Sequence, residues 1–104
     1  SCPRRRMSIV REFDRCLHEP ARLVLVANLS VVDEADFLFL SRQTGLTDGN
    51  ISFHMTKLEE AGYVDVRKEF IGKKPRTTYQ LTTEGRTAFA RHRERLREIL
   101  DASR

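Results

Sequence analysis

The 104-residue sequence has only two cysteines, Cys2 and Cys16. Two thiols at that spacing furnish neither a disulfide framework nor a zinc cage, so a reduced, cytoplasmic setting is expected. Long apolar runs are also missing. The longest, LVLVA from Leu23 to Ala27, falls far short of the ~20 residues that span a bilayer, and no membrane partner is expected. The opening SCPRRRM is charged, but no apolar stretch follows it, so it does not read as a secretory signal. No glycine-rich phosphate loop follows a strand, and no nucleophile stands in a recognisable setting. Asp33, Glu34 and Asp36 lie close together, which suits a turn before a helix better than acid–base or cation chemistry. The expectation is therefore no enzyme, no catalytic residue, no cofactor and no metal site.

What is present is one domain's worth of chain with 39% apolar and 33% charged residues, enough for a core that a second subunit often completes. Nineteen Lys and Arg against fifteen Asp and Glu give a net charge of +4, and the basic residues cluster. Clustering favours a polyanionic partner.

Residues 1–8 read as a basic N-terminal arm. Ile9, Phe13 and Leu17 then recur at helical spacing and form an apolar edge that needs a cover. In HEPARLVLVANLS, Pro20 suits a first helical position and Glu19 sits where the helix dipole favours a carboxylate. Alternating Val and Leu also fit a buried strand, but the proline-led start favours a helix, apolar almost all round. Asp36 is placed to cap a helix from Phe37 to about Thr44, ended by Gly45. Thr47 is the natural cap of the next helix, which runs to Ala61 and stops at Gly62.

From Tyr63 the period changes to two, with Val64 and Val66 facing one way and Asp65 and Arg67 the other. EFIGKKPR interrupts as a basic turn, and TTYQLT resumes the alternation with Tyr79 and Leu81 inward. Thr82 or Thr83 then caps a helix of about twenty residues, roughly 30 Å long. The expected order over residues 9–82 is thus helices about a tight glycine turn and a two-stranded hairpin, followed in the same domain by a long helix, 83–104. A helix, a tight turn, a second helix and a lysine-tipped hairpin have one physical reading that uses every part. The second helix, about 48–61, fits a major groove, and the hairpin, about 69–76, lies on the flanking backbone or in a minor groove.

LTDGNISFHMTKLEEAGYVDVRKEFIGKKPRTTYQLTTEGRTAF, Leu46 to Phe89, resembles the winged-helix core of bacterial and archaeal transcriptional regulators related to MarR and ArsR, and HEPARLVLVANL resembles that superfamily's first core helix. The nearest subgroup is small and single-domain. The resemblance implies an α+β, mostly helical fold, a winged helix-turn-helix over residues 9–82 with a two-stranded wing and a C-terminal dimerisation helix, 83–104, and a homodimer that represses or activates by binding double-stranded DNA at a two-fold-related operator. In such families the recognition helix carries a serine, a variable polar residue and a histidine before a leucine; here these are Ser52, Phe53 and His54, with Met55 in the leucine's place. Some ArsR relatives bind metal through cysteines in the preceding helix, and DFLFLSRQTG has none.

The candidate DNA-binding residues are Thr47, Asn50, Ser52, Phe53, His54, Lys57, Lys73, Lys74 and Arg76. Asn50 suits an adenine edge, Ser52 and His54 bases or phosphates, and Lys57 a phosphate. Lys73, Lys74 and Arg76 suit a phosphate-gripping wing, with Arg76 entering a minor groove. Phe53, where a polar or basic residue is usual, has two readings that stand even: contact with thymine methyls in the major groove, or packing under the wing or against the preceding helix. The candidate dimer interface joins Ile9, Phe13 and Leu17 to Phe89, His92, Leu96 and Ile99 of the last helix. Any small-molecule effector, of unknown identity, would have to use the cleft between wings and terminal helices. The alternative is a winged helix used as a protein or RNA interaction module within a larger assembly, which an exposed Phe53 would also suit.

Overall fold

The structure, a computed structural model, describes residues 14–103. The expected basic arm, Ile9 and Phe13 lie outside the described residues. Helix α1 (Pro20–Leu29) begins as its proline dictates. Its cap is Glu19, whose carboxylate oxygen Oε1 accepts the Arg22 backbone N–H at 2.9 Å, and this bond holds the Glu19 carboxyl below the usual carboxylate range. Leu25, Val26 and Leu29 are buried while Val24 is exposed, so the helix lies at the edge of the core and not at its centre.

Strand β1 (Ala35–Asp36) was not anticipated. Two residues are too few to show alternation, and they form a strand only by pairing with a later one. Helix α2 (Phe37–Thr44) starts where Asp36 Oδ1 accepts the Phe39 N–H at 2.9 Å. It ends at Gly45, whose φ of 78° only glycine adopts readily. Helix α3 (Asp48–Glu60) is capped by Thr47 Oγ1, which accepts the Asn50 N–H at 3.2 Å. Its end is closed by Gly62 at φ 84° and by the Tyr63 N–H donating back to the Leu58 carbonyl at 2.9 Å.

Strands β2 (Val64–Ile71) and β3 (Lys74–Leu81) pair from Val64↔Leu81 to Ile71↔Lys74, and β1 joins the other side of β3 to give the antiparallel order β1-β3-β2. The expected basic turn is therefore mostly ladder, and only Gly72 and Lys73 make the bend. Gly72, at φ 66°, stands first in this two-residue turn, as the tight turns that match strand twist require. Pro75 is tolerated in β3 because, one pair in from the turn, its nitrogen points away from β2 on a side that β1 does not reach.

Helix α4 (Thr83–Ala102) is capped by Thr82, whose hydroxyl accepts the Gly85 N–H at 2.9 Å and donates to the Gly62 carbonyl at 2.7 Å. The core joins Leu25, Val26 and Leu29 of α1 to Leu40 of α2, Ile51, Met55 and Leu58 of α3, and Val64, Tyr79 and Leu81 of the sheet. Leu17 belongs to it as well. Asp14 Oδ1 accepts from the Cys16 and Leu17 N–H groups at 3.0 and 3.3 Å, and the turn they make lowers Leu17 into the interior at 0% exposure. Leu17 thus packs inside its own subunit and not at a subunit interface: helical spacing shows which residues share a face, not which body covers it.

Candidate nucleic-acid interface

On α3 the stripe Ile51, Met55 and Leu58 is fully enclosed. With 3.6 residues per turn, the line of the helix opposite that stripe passes through Phe53. The Phe53 ring is 56% exposed. Its ring contacts among the described residues lie on its own helix: the His54 ring meets it edge-on at 5.1 Å between centroids, and Lys57 Nζ lies 5.5 Å from its centre, a cation–π distance. At that exposure the ring is not buried under the wing or against α2. Thr47, Asn50, Ser52 and Lys57 are exposed around it.

His54 is the exception on this helix. Its side chain is 12% exposed and turned toward α1, where Arg22 Nη1 donates to Nδ1 at 3.1 Å. Glu19 Oε1 also lies 3.8 Å from Nδ1, but a guanidinium has only donors, so Nδ1 is an acceptor and its approach to Glu19 is not a hydrogen bond. Arg22 Nε donates to the Cys16 carbonyl at 2.7 Å. His54 is therefore a brace: through Arg22 it fixes the recognition helix against α1 and the turn before it. No groove-facing role remains for its Nδ1.

Ser52 and Thr56 line the flank of α3 that faces the hairpin, across a cleft of about 370 Å³ shared with Glu59, Val66, Lys68 and Tyr79. Burial, with Glu59 nearby, pushes the Tyr79 phenol up, so it stays neutral there. Lys68 was missed by the sequence reading, although the period of two from Val64 through Val66 already placed it on this face. On the hairpin Lys73 and Lys74 are exposed. Arg76 is not a free cation: Nη2 lies 3.5 Å from Asp36 Oδ2 and Nη1 3.7 Å from Glu69 Oε2. The register explains this, because Arg76 pairs with Glu69 across the ladder and stands two residues before the Thr78 that pairs with Asp36.

The interface residues expected on α4 divide. Phe89 packs half-buried on the domain's own core, and His92 is 2% exposed, its ring edge-on to His18 at 5.3 Å between centroids. Burial, and then His18, hold the His92 imidazole below its ordinary pKa, so its neutral form is favoured. His92 is thus enclosed in its own subunit as Leu17 is. Leu96 and Ile99 remain half-exposed outside the core cluster, and Leu100, which was not anticipated, is 67% exposed.

Two helices meeting at a glycine turn, the second outward-facing and flanked by a long two-stranded wing, define a winged helix-turn-helix protein. Residues 21–100 match the winged helix DNA-binding domain family, and the chain belongs to that family. It is similar to an uncharacterized protein of Methanocaldococcus jannaschii, 35% identical over 83 residues, which covers 80% of this chain and 87% of that protein. Among solved structures it resembles a transcriptional regulator homologue of Pyrococcus horikoshii OT3 at 29% identity and a TM-score of 0.80, covering 90% of this chain and 91% of that one. It also resembles the transcriptional repressor BigR of Xylella fastidiosa at 26% identity and a TM-score of 0.64, covering 77% and 74%. The chain is a winged-helix DNA-binding transcriptional regulator, and this fold and family are not those of enzymes. No helix among the described residues is long and apolar enough to cross a membrane.

Proposed function

We propose that the chain acts as a homodimer on a two-fold-related operator, with α3 of each subunit in a major groove and each wing along the flanking backbone. The observation that carries this reading is the Phe53 ring, 56% exposed on the line of α3 farthest from the core, between Asn50 and Lys57. An exposed aromatic ring costs solubility unless it meets something apolar, and the thymine methyl is the apolar feature of the major groove. Asn50 and Ser52 contact base edges, Lys57 and the Thr47 cap the backbone. The dimer is supported by Leu96, Ile99 and Leu100, which α4 carries beyond its own core. Two copies joined there set their recognition helices about 34–36 Å apart, one turn of duplex.

Gel shifts on random duplex at two salt concentrations test the reading, because phosphate contacts make affinity fall with salt. The Lys73→Ala/Lys74→Ala variant is expected to lower the salt slope by about two, one for each phosphate no longer neutralised. Wild-type binding without salt sensitivity rejects the reading, and an unchanged slope removes the two lysines from it. Phe53→Ala is expected to leave folding stability within about 0.5 kcal/mol, as for other exposed sites, and to weaken binding to a selected duplex about tenfold, or 1.4 kcal/mol. A drop of several kcal/mol in stability with intact operator preference would contradict the groove contact.

A further inference from the structure

The tip of the wing carries a pair of residues that a phosphate-gripping hairpin does not need. Phe70 is 72% exposed and Ile71 59%. They are consecutive, stand at the far end of a ladder paired as far as Ile71↔Lys74, and lie well clear of the core cluster. Strand alternation places Phe70 with its cross-strand partner Pro75 on one face and Ile71 on the other, so the tip is apolar on both sides. That shape suits insertion between two surfaces better than adhesion to one.

The charges around the tip indicate what it enters. Lys68, Lys73 and Lys74 surround the apolar pair, and no carboxylate among the described residues pairs with them. Lysines are depleted in protein–protein interfaces, so an apolar tip in a lysine collar complements a polyanion better than a protein surface. Arg76, the arginine nearest the tip, is drawn back to Asp36 and Glu69. Behind the Gly72–Lys73 bend the exposed apolar side chains of the wing are Phe70 and Ile71. Apolar wedges of this type enter minor grooves, part a base step and kink the duplex by about 20–90°.

Resting on the DNA reading above, we infer that the wing is a wedge: Phe70 and Ile71 enter the minor groove beside each half-site and bend the duplex, while Lys73 and Lys74 hold the phosphates on either side. The wing then contributes to operator choice through the ease with which a base step opens, with no hydrogen bond to a base.

The test uses duplexes retained by the full chain from a randomised pool, labelled at both ends with a donor and an acceptor dye. Wild-type protein is expected to shorten the end-to-end distance, and Phe70→Ala/Ile71→Ala to bind with an unchanged salt slope while leaving the duplex straight. Lys73→Ala/Lys74→Ala is expected to do the opposite, lowering the slope while the saturated complex stays bent. A straight wild-type complex, or equal bending by wild type and Phe70→Ala/Ile71→Ala, overturns the wedge and leaves the DNA reading standing. Failure of wild-type protein to retain any duplex in a salt-sensitive way overturns both. A Phe70→Ala/Ile71→Ala protein that sediments as a monomer where wild type is a dimer places the pair against a second copy, and overturns the wedge as well.

Discussion

Gly85→Ala is expected to destabilise the chain by about 2 kcal/mol, although alanine is the better helix former. Within a helix the exchange favours alanine by about 1 kcal/mol. Against that gain stands contact: a Cβ at residue 85 would lie 2.2 Å from the Tyr63 carbonyl oxygen, 2.8 Å from Leu81 Cδ2 and 3.0 Å from the Tyr63 carbonyl carbon. Two of these are backbone atoms, which no rotamer change moves. The carbonyl is also fixed from the other side, since it accepts the Thr82 N–H at 3.0 Å. The first turn of α4 would have to lift off the junction between α3 and β2, and overpacking of a fixed interior costs about 1–3 kcal/mol, sometimes more. The upper part of that range, less the propensity gain, leaves about 2 kcal/mol, which for a domain of this size lowers the melting midpoint by roughly 8–16 °C. Gly85→Val is expected to cost more, with a larger clash and a poorer helix former. A midpoint for Gly85→Ala equal to or above wild type would show that α4 does not sit on Tyr63. The junction matters to function because it sets the angle at which α4 leaves the domain, and so the separation of recognition helices in the proposed dimer.

The residues that end and begin helices were readable without coordinates, because capping is local. Asp36, Gly45, Thr47 and Gly62 each act within four residues of themselves, and each does in the structure what its side chain, or lack of one, dictates. The identity of the fold followed from the order of those local pieces. Strand β1 was hidden because Ala35 and Asp36 become a strand only through Tyr79 and Thr78, some forty residues away. The wing was read by its charge, which drew attention to Arg76 and away from Phe70 and Ile71. Arg76 looked free because neither Asp36 across the sheet nor Glu69 across the ladder is near it in sequence. The brace at His54 was hidden for the same reason: its serine neighbour suggested a groove, while the Arg22 that donates to its Nδ1 stands thirty-two residues earlier.

The second large effect is expected at Leu17. Leu17→Ala should cost about 2–5 kcal/mol, the range for a leucine truncated where its surroundings cannot collapse. Leu17 is 0% exposed, and its turn is held on both sides, by Asp14 to the Cys16 and Leu17 N–H groups and by Arg22 Nε to the Cys16 carbonyl. Urea unfolding checks the size of the effect, and sedimentation separates its cause. A leucine in the domain's own core lowers the midpoint by the same free energy at every protein concentration and leaves the folded chain's association unchanged. A leucine between subunits would instead shift the monomer–dimer equilibrium, as truncating Leu96 and Ile99 should under the proposed dimer, and its effect would fade as concentration rises. The functional consequence follows the hydrogen bonds. Loosening the turn releases the Cys16 carbonyl from Arg22, and Arg22 is what holds His54, so the recognition helix loses its tether to α1. Leu17→Ala in protein still folded at low temperature should therefore weaken duplex binding although residue 17 lies inside the core, whereas Phe53→Ala weakens binding with the fold intact.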